Sequence, residues 1–233
     1  MPLFEKIKYY STIIDINYAP YIDKLAVKPI VCEICPALQT ASVIRILSSP
    51  YDISEKDLNP SHLLKAAHGC GWNIRLDGST PIAAIREHLV AWNTSYSLTE
   101  TQYKYVKPAF FIETIINDKY TGSTGQARVF MCRCIRGKPV SVGVRCGLGD
   151  NRQNSYTPKF ELIGKPVFTM PKPPQWETML EMAGALSARF EFVRVDFYIG
   201  ADEQIYFSEY TFTPAGGNRV FSMEMEHKLG RLW

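Results

Sequence analysis

No run in this chain approaches the roughly 20 apolar residues that a bilayer-spanning helix needs. Its first residues, MPLFEKIKYY, alternate charged and apolar positions without a long hydrophobic core. Neither membrane insertion nor a secretory leader is expected, and the reading is a cytoplasmic protein. Charge of one sign is also scarce: 26 Lys and Arg stand against 23 Asp and Glu, a formal net charge of +3. That balance excludes the broad basic surface of a nucleic-acid or anionic-lipid binder, so any phosphate must be held locally. Internal repeats and low-complexity segments are absent. With 46% hydrophobic residues among 233, the chain is long enough to bury about 70% of its unfolded surface without an external staple.

Cysteine is present but poorly arranged for metal or redox work. Cys32-Glu33-Ile34-Cys35 has the two-residue spacing of a zinc knuckle or redox pair, yet Cys132, Cys134 and Cys146 lie far downstream and do not complete one. Reduced thiols packed as small hydrophobes are the expectation.

Periodicity supplies the elements. Apolar residues at helical spacing predict a helix over Ala19 to Ile34, with Asp23, Lys24 and Lys28 pointing away from its apolar stripe and Pro29 ending or kinking it. Ala41 to Leu47 is a strand followed by turn residues Ser49-Pro50-Tyr51-Asp52, and Ser61 to Ala67 is a second strand running into His68-Gly69-Cys70-Gly71-Trp72-Asn73, a turn. Thr80-Pro81 opens a packing helix with Ile82, Ile85, Leu89 and Trp92 on one face. Ala109 to Ile116, Arg128 to Ile135 and Val140 to Arg145 are strands, the last two joined by Arg136-Gly137-Lys138-Pro139. Residues 147 to 175, rich in Gly, Asn, Pro and Lys, predict a loop or lid. A helix on Trp176, Met179, Leu180, Ala183, Leu186 and Phe190 precedes the strands Phe192 to Ile199 and Gln204 to Thr211, and a short helical tail closes the chain. The class is α+β with mainly antiparallel sheets.

The last hairpin carries the most chemistry. Val193, Val195, Phe197 and Ile199 alternate with Arg194, Asp196 and Tyr198, so one face is apolar and the other polar. An even loop centred between Asp202 and Glu203 would set Gly200 against Ile205 and Asp196 against Glu209. Directly opposed residues have Cβ atoms roughly 4.5–5.5 Å apart, and like charges there repel unless a cation lies between them. Two carboxylates with water and phosphate are a usual magnesium environment. Arg194, on the same face, can grip a phosphoryl group by bidentate hydrogen bonds. The plainer alternative is a pair of solvated charges on an outer face, against which Tyr198, Tyr206, Phe207 and Tyr210 are read as an aromatic surround. Gly69-x-Gly71 after Lys65 offers free backbone N–H groups and an ammonium for phosphates, or else is an ordinary turn beside a surface lysine.

Taken in order, Lys65-Ala-Ala-His68-Gly69-Cys-Gly71-Trp72-Asn73-Ile74, Phe111-Ile112-Glu113, Gly125-Gln-Ala-Arg128-Val129-Phe130, Phe192-Val-Arg194-Val-Asp196-Phe-Tyr198 and Tyr206-Phe-Ser-Glu209-Tyr-Thr211-Phe-Thr213-Pro214 resemble the TupA-like ATP-grasp family. The resemblance runs over about residues 17 to 232, and Arg194-x-Asp196 with Glu209-x-Thr-Phe-Thr-Pro is its specific part. It implies an ATP-grasp fold with the nucleotide held between two α+β subdomains: a short N-terminal unit at 1–60, a glycine-loop subdomain at 61–116 and a C-terminal subdomain with the metal hairpin at 117–233.

The resemblance also implies roles. Lys65, His68, Gly69, Gly71, Trp72, Asn73 and Glu113 would bind ATP, Lys65 and the glycines at the phosphates and Glu113 near the ribose. Arg128 and Arg194 would be catalytic. Asp196, Glu209 and Thr211 would hold Mg2+, Thr211 standing where many ATP-grasp enzymes have Asn, so one ion is expected rather than two. The implied activity is a carboxylate–amine ligase acting through an acyl phosphate in cell-surface polysaccharide biosynthesis. Its partners would be a small-molecule or glycan-linked carboxylate, an amine or amino acid, and other glycan-biosynthesis enzymes. A small-molecule kinase and a catalytically silent binding module on the same scaffold are the competing readings.

Overall fold

The computed structural model describes residues 1–93, 100–119, 126–147, 150 and 152–233. Along the chain run α1 (Leu3–Ser11), α2 (Ala19–Ile22), α3 (Val27–Ile34), β1 (Gln39–Thr40), β2 (Val43–Leu47), β3 (His62–Ala66), β4 (Asn73–Arg75), α4 (Ile82–Trp92) and β5 (Phe110–Thr114). Then come β6 (Val129–Ile135), β7 (Lys138–Arg145), β8 (Gln153–Tyr156), α5 (Trp176–Ser187), β9 (Phe192–Ile199), β10 (Ile205–Thr211) and α6 (Met223–Gly230). These elements sort into two compact units, a smaller one of Ile14–Val27 and Ala41–Ile115 and a larger one of Met1–Ile13, Lys28–Thr40 and Ile116–Trp233. Residues 1–60 therefore contribute to both.

The smaller unit is built on an antiparallel sheet in the order β2-β5-β3-β4. Ile82, Ile85 and Leu89 of α4 cluster with Leu64, Ala66, Phe110 and Ile112 of that sheet, all buried. Burial of each such side chain contributes roughly 1.5–3 kcal/mol, which fixes β3 and β5 as a rigid base for the turn that follows β3.

The larger unit is a six-stranded sheet in the order β1-β10-β9-β6-β7-β8, antiparallel except for the parallel β1–β10 pair. Residues of one parity, among them Cys134 and Tyr210, face α5: the Cys134 thiol and the Tyr210 hydroxyl donate to the carbonyls of Ala183 and Leu186. The opposite parity places Met131, Asp196 and Glu209 in one row across the sheet, and Ser141, Arg133, Arg194 and Thr211 in the next. This second face is where chemistry can occur.

Four expectations change. The helix over Ala19 to Ile34 is broken, because the Asp23 carboxylate accepts from the backbone N–H groups of Leu25 and Ala26 and ends α2 there, while Pro29 sits harmlessly in the first turn of α3. Lys24 does not point to solvent: it is buried, and its ammonium donates to Gly69 O at 2.7 Å. The 147–175 stretch contains β8, whose polar sequence QNSY hides a strand made by pairing with β7; positions 148, 149 and 151 lie outside the described residues. The β6–β7 turn is only Arg136-Gly137, both at positive φ (48° and 77°), and the strand resumes at Lys138. That is the two-residue hairpin whose twist suits the flanking strands.

None of the six cysteines is joined in a disulfide. Among the described residues no helix is long and apolar enough to cross a membrane.

Candidate active site

The β9–β10 hairpin brings Asp196 and Glu209 face to face, by a different route from the even loop. The loop is one residue longer than that, pairing Ile205 with Ile199 and Phe207 with Phe197. Continued regularly, this register would put Ser208 opposite Asp196 and turn Glu209 toward α5. A bulge between Phe207 and Glu209 inserts one residue and restores the Glu209–Asp196 pair.

Asp196 is only 1% exposed. The cation between the acids is Arg194, whose Nε and Nη2 donate to the two Asp196 oxygens at 2.7 Å each, with Nη2 also donating to Thr211 Oγ1 at 3.0 Å and lying 3.6 Å from Glu209 Oε1. Burial pushes the Asp196 carboxyl above its usual range; Arg194 opposes this and Glu209 reinforces it. Tyr198 and Tyr206 occupy the next pair on the same face, Tyr198 accepting from Gln126 Nε2 at 2.7 Å. Phe207 and Tyr210 do not surround the acids: they pack on each other, on the α5 side.

Arg128 is out of step with this row. It shares the parity of Phe130, which packs against Trp176 of α5; its backbone N–H donates to Asp118, and its guanidinium lies 5.4 Å over the Phe168 ring. Gly125, quoted in the same motif, lies outside the described residues.

Two cations that the strand patterns leave out stand on the carboxylate face. Arg133 pairs directly with Arg194 across β6 and β9, is 4% exposed, and has its pKa lowered to about 10, chiefly by burial and then by Arg194. Arg145, at the exposed rim of β7, helps hold Asp196 ionised. For Arg133 the signal is present: a lone arginine inside the otherwise apolar strand VFMCRCI, at the parity of the acids once β6 is paired with β9.

In the smaller unit Lys65 and Glu113 meet across β3 and β5 as a buried ion pair, Nζ to Oε1 at 2.9 Å. The turn after β3 is closed by Ala66 N–H donating to Trp72 O. A side chain at Gly69 would come within 2.2 Å of the Trp72 ring, and Gly71 has φ +68°, so both positions require glycine. Trp72 stacks on Trp92 with ring centroids 5.6 Å apart, and Asn73 opens β4 opposite Lys65. Lys24, absent from the expected set, anchors the turn through Gly69 O.

His68 is committed to the backbone. Its Nδ1 accepts from Ala109 N–H at 3.3 Å and its Nε2 lies 2.7 Å from Trp92 O, an arrangement that a neutral ring protonated on Nε2 satisfies. It ties the turn to the end of α4 and the start of β5. Burial lowers its pKa, so the unfolded chain binds the proton more readily and stability falls as pH drops below the unfolded value of about 6.5. Urea midpoints at pH 7.5 and 5.5 should differ less for His68→Gln than for the native chain; equal differences would remove His68 from the acid response.

The sequence matches the model of the family described as TupA-like ATPgrasp over residues 5–233. The chain belongs to the TupA-like ATP-grasp family. Among solved structures, the L-amino acid ligase from Bacillus licheniformis is similar with a TM-score of 0.53 and 13% identity, covering 85% of this chain and 44% of that one. The D-alanine-D-alanine ligase from Coxiella burnetii aligns at a TM-score of 0.49 and 12% identity, over 92% and 52% of the two chains. The chain thus spans about half the length of these structures. No curated protein sequence matches it. The fold of this TupA-like ATP-grasp protein is the α+β ATP-grasp fold of ligases.

The donor set suits magnesium. Two carboxylates meet at paired sheet positions with a hydroxyl beside them, and the single Arg194 guanidinium offsets only one of their two negative charges. A small hard ion that keeps several waters can share these oxygens with a phosphate.

Proposed function

We propose that this protein is an ATP-dependent carboxylate–amine ligase working through an acyl phosphate, joining an amine or amino acid to a carboxylate on a small molecule or on a cell-surface polysaccharide precursor. The observation that carries this reading is the buried Asp196 facing Glu209 with a guanidinium between them. Opposed acids in a sheet do not by themselves stabilise the fold; Arg194 offsets one of their two charges, and this reading takes a metal ion to offset the other.

Asp196 and Glu209 would hold the magnesium, with Thr211 fixing the Arg194 fork beside them. When bound, the ion neutralises charge developing on the transferred phosphoryl group. Arg194 is suited by its planar fork to hold the γ-phosphoryl oxygens. In the smaller unit Lys65 would supply charge to the phosphates. Gly69 and Gly71 would leave N–H groups uncovered for phosphate oxygens, flanked by Trp72 and Asn73. Glu113 would hold Lys65 in place before the nucleotide enters and meet the ribose afterwards, and His68 would position the turn. Arg128 is retained only as a basic residue immediately before β6.

A carboxylate oxygen attacks the γ-phosphorus and the bond to the bridging oxygen of ADP breaks. The amine lone pair then attacks the acyl carbon, phosphate leaves with the bonding electrons, and the amine gives up a proton. The test is ADP release from MgATP across a matrix of acids and amines. Release that requires both, with a product weighing acid plus amine minus water, is expected. A stable phosphorylated acceptor formed without amine would replace the ligase by a kinase, and failure to bind MgATP at all would remove the reading.

A further inference from the structure

A cavity of about 580 Å3 lies wholly within the larger unit and has no part in the scheme above. Its floor is β8, whose Gln153 and Ser155 line it. Cross-strand partners share a face, and the row Glu209, Asp196, Met131, Gly143, Ser155 runs unbroken from β10 to β8. The cavity therefore adjoins the sheet face that carries the acids, three strand spacings or roughly 14 Å from Asp196.

Two walls rise from that floor, each fixed by contacts of its own. One is the turn that follows β8, where Thr157 N–H donates to Glu161 O at 2.8 Å, Ile163 N–H donates to Ser155 O at 2.7 Å, and the Phe160 ring stacks on Tyr156 with centroids 4.6 Å apart. The other is the start of α6 and the segment before it. There the Glu226 carboxylate, 1% exposed, accepts from Val220 and Phe221 N–H at 3.1 and 3.0 Å and from Phe4 N–H at 3.0 Å. The space between the walls is thus preformed, and its volume takes an amino-acid-sized molecule whole.

Each wall presents one acid and one base, Glu161 with Lys165 on the first and Glu224 with Lys228 on the second. Glu224 and Lys228 stand at i and i+4 of α6, the order that favours pairing on a helix. Yet none of these charges forms an ion pair among the described residues. Ser222 Oγ accepts from Met225 N–H, which leaves the hydroxyl proton to donate into the same space. A simple acid would meet two carboxylates here, and a simple amine two ammonium groups. A molecule carrying both charges meets a partner for each.

We propose that this cavity is the subsite for the amine substrate, and that the substrate is an α-amino acid bound as its zwitterion. Its carboxylate faces Lys165, Lys228 and the Ser222 hydroxyl, and its ammonium faces Glu161 and Glu224. This rests on the ligase reading and names the class of its amine substrate.

The test is calorimetric titration of the whole chain with each standard amino acid and with D-alanine, in the presence and absence of saturating MgADP. At least one should bind. Its methyl ester, which lacks the carboxylate charge, and its N-acetyl derivative, which lacks the ammonium, should each bind about tenfold or more weakly. Lys165→Met/Lys228→Met should weaken the amino acid by about tenfold or more and leave the ester unchanged. Glu161→Gln/Glu224→Gln should weaken it comparably and leave the N-acetyl derivative unchanged. All four positions are exposed, so the urea midpoint and MgADP affinity should stay native in both variants. Equal binding of the amino acid and either derivative, or native amino-acid affinity in either variant, would reduce the four charges to a solvated rim and overturn the subsite. So would a native chain that binds MgADP and no amino acid. A native chain that binds an amino acid but not MgADP would keep the site and overturn the ligase reading instead.

Discussion

Asp196→Asn is expected to lower MgATP turnover by about a thousandfold while leaving the protein folded. The amide is nearly isosteric and keeps one acceptor oxygen for Arg194, which donates to both Asp196 oxygens in the native chain. What it removes is the negative charge. Loss of one carboxylate from a magnesium site forfeits several kcal/mol of transition-state charge stabilisation, and about 4 kcal/mol corresponds to three decades in rate. The substitution also leaves Arg194 with Glu209 as the nearby acid, so the guanidinium is expected to draw closer to Glu209 and compete further with the ion. Glu209→Gln should give a smaller loss, because that side chain is partly exposed and water can replace it. Steady-state ADP release over a magnesium titration reads both effects: the loss should shrink at high magnesium for Glu209→Gln and persist for Asp196→Asn. Undiminished turnover in Asp196→Asn would falsify the metal assignment.

Lys65 and Glu113 predict a different pattern, in which stability and nucleotide binding separate. Their side chains are 9% and 6% exposed and 2.9 Å apart, so removing either partner leaves a charge buried without it. Lys65→Met should destabilise the chain by about 3–5 kcal/mol. Lys65→Met/Glu113→Leu should recover most of that loss, since an apolar pair of similar volume is often as stable as a buried ion pair. Nucleotide affinity should not recover, because the ammonium proposed to meet the phosphates is absent from both variants. Urea unfolding gives the first quantity and titration with a fluorescent ATP analogue the second. A double variant with native affinity would reduce Lys65 to a structural partner of Glu113 and leave the phosphates to the Gly69–Gly71 turn.

The legibility of this protein divides along the range of the interactions that decide each feature. The strands flanking the chemistry, the two glycines after Lys65 and the opposition of Asp196 to Glu209 are all legible in the sequence, because alternation and turn chemistry are local. The even-loop arithmetic reaches that opposition through a loop one residue too short, and the difference is made up by a bulge at Ser208 that no propensity announces. β8 reads as part of a loop because QNSY has no apolar alternation of its own; its buried Asn154 instead donates to Phe168 O and accepts from Val167 N–H. Helical spacing assigns Lys24 to solvent, whereas the folded chain makes it a buried anchor of the glycine turn because Asp23 breaks the helix beside it.

By itself the sequence determined the family, the longer strands and packing helices, and the parity that puts Arg194, Asp196 and Glu209 on one face, since these follow from motifs and alternation along the chain. Only the tertiary structure decided that Asp196 is buried under Arg194, that His68 is spent on backbone groups, that Arg128 stands out of step with the acids, and that Arg133 is buried opposite Ser141. Burial, ion pairing and hydrogen-bond satisfaction depend on which distant segments close over a residue, and that follows from the packing of the whole unit rather than from any window of the chain.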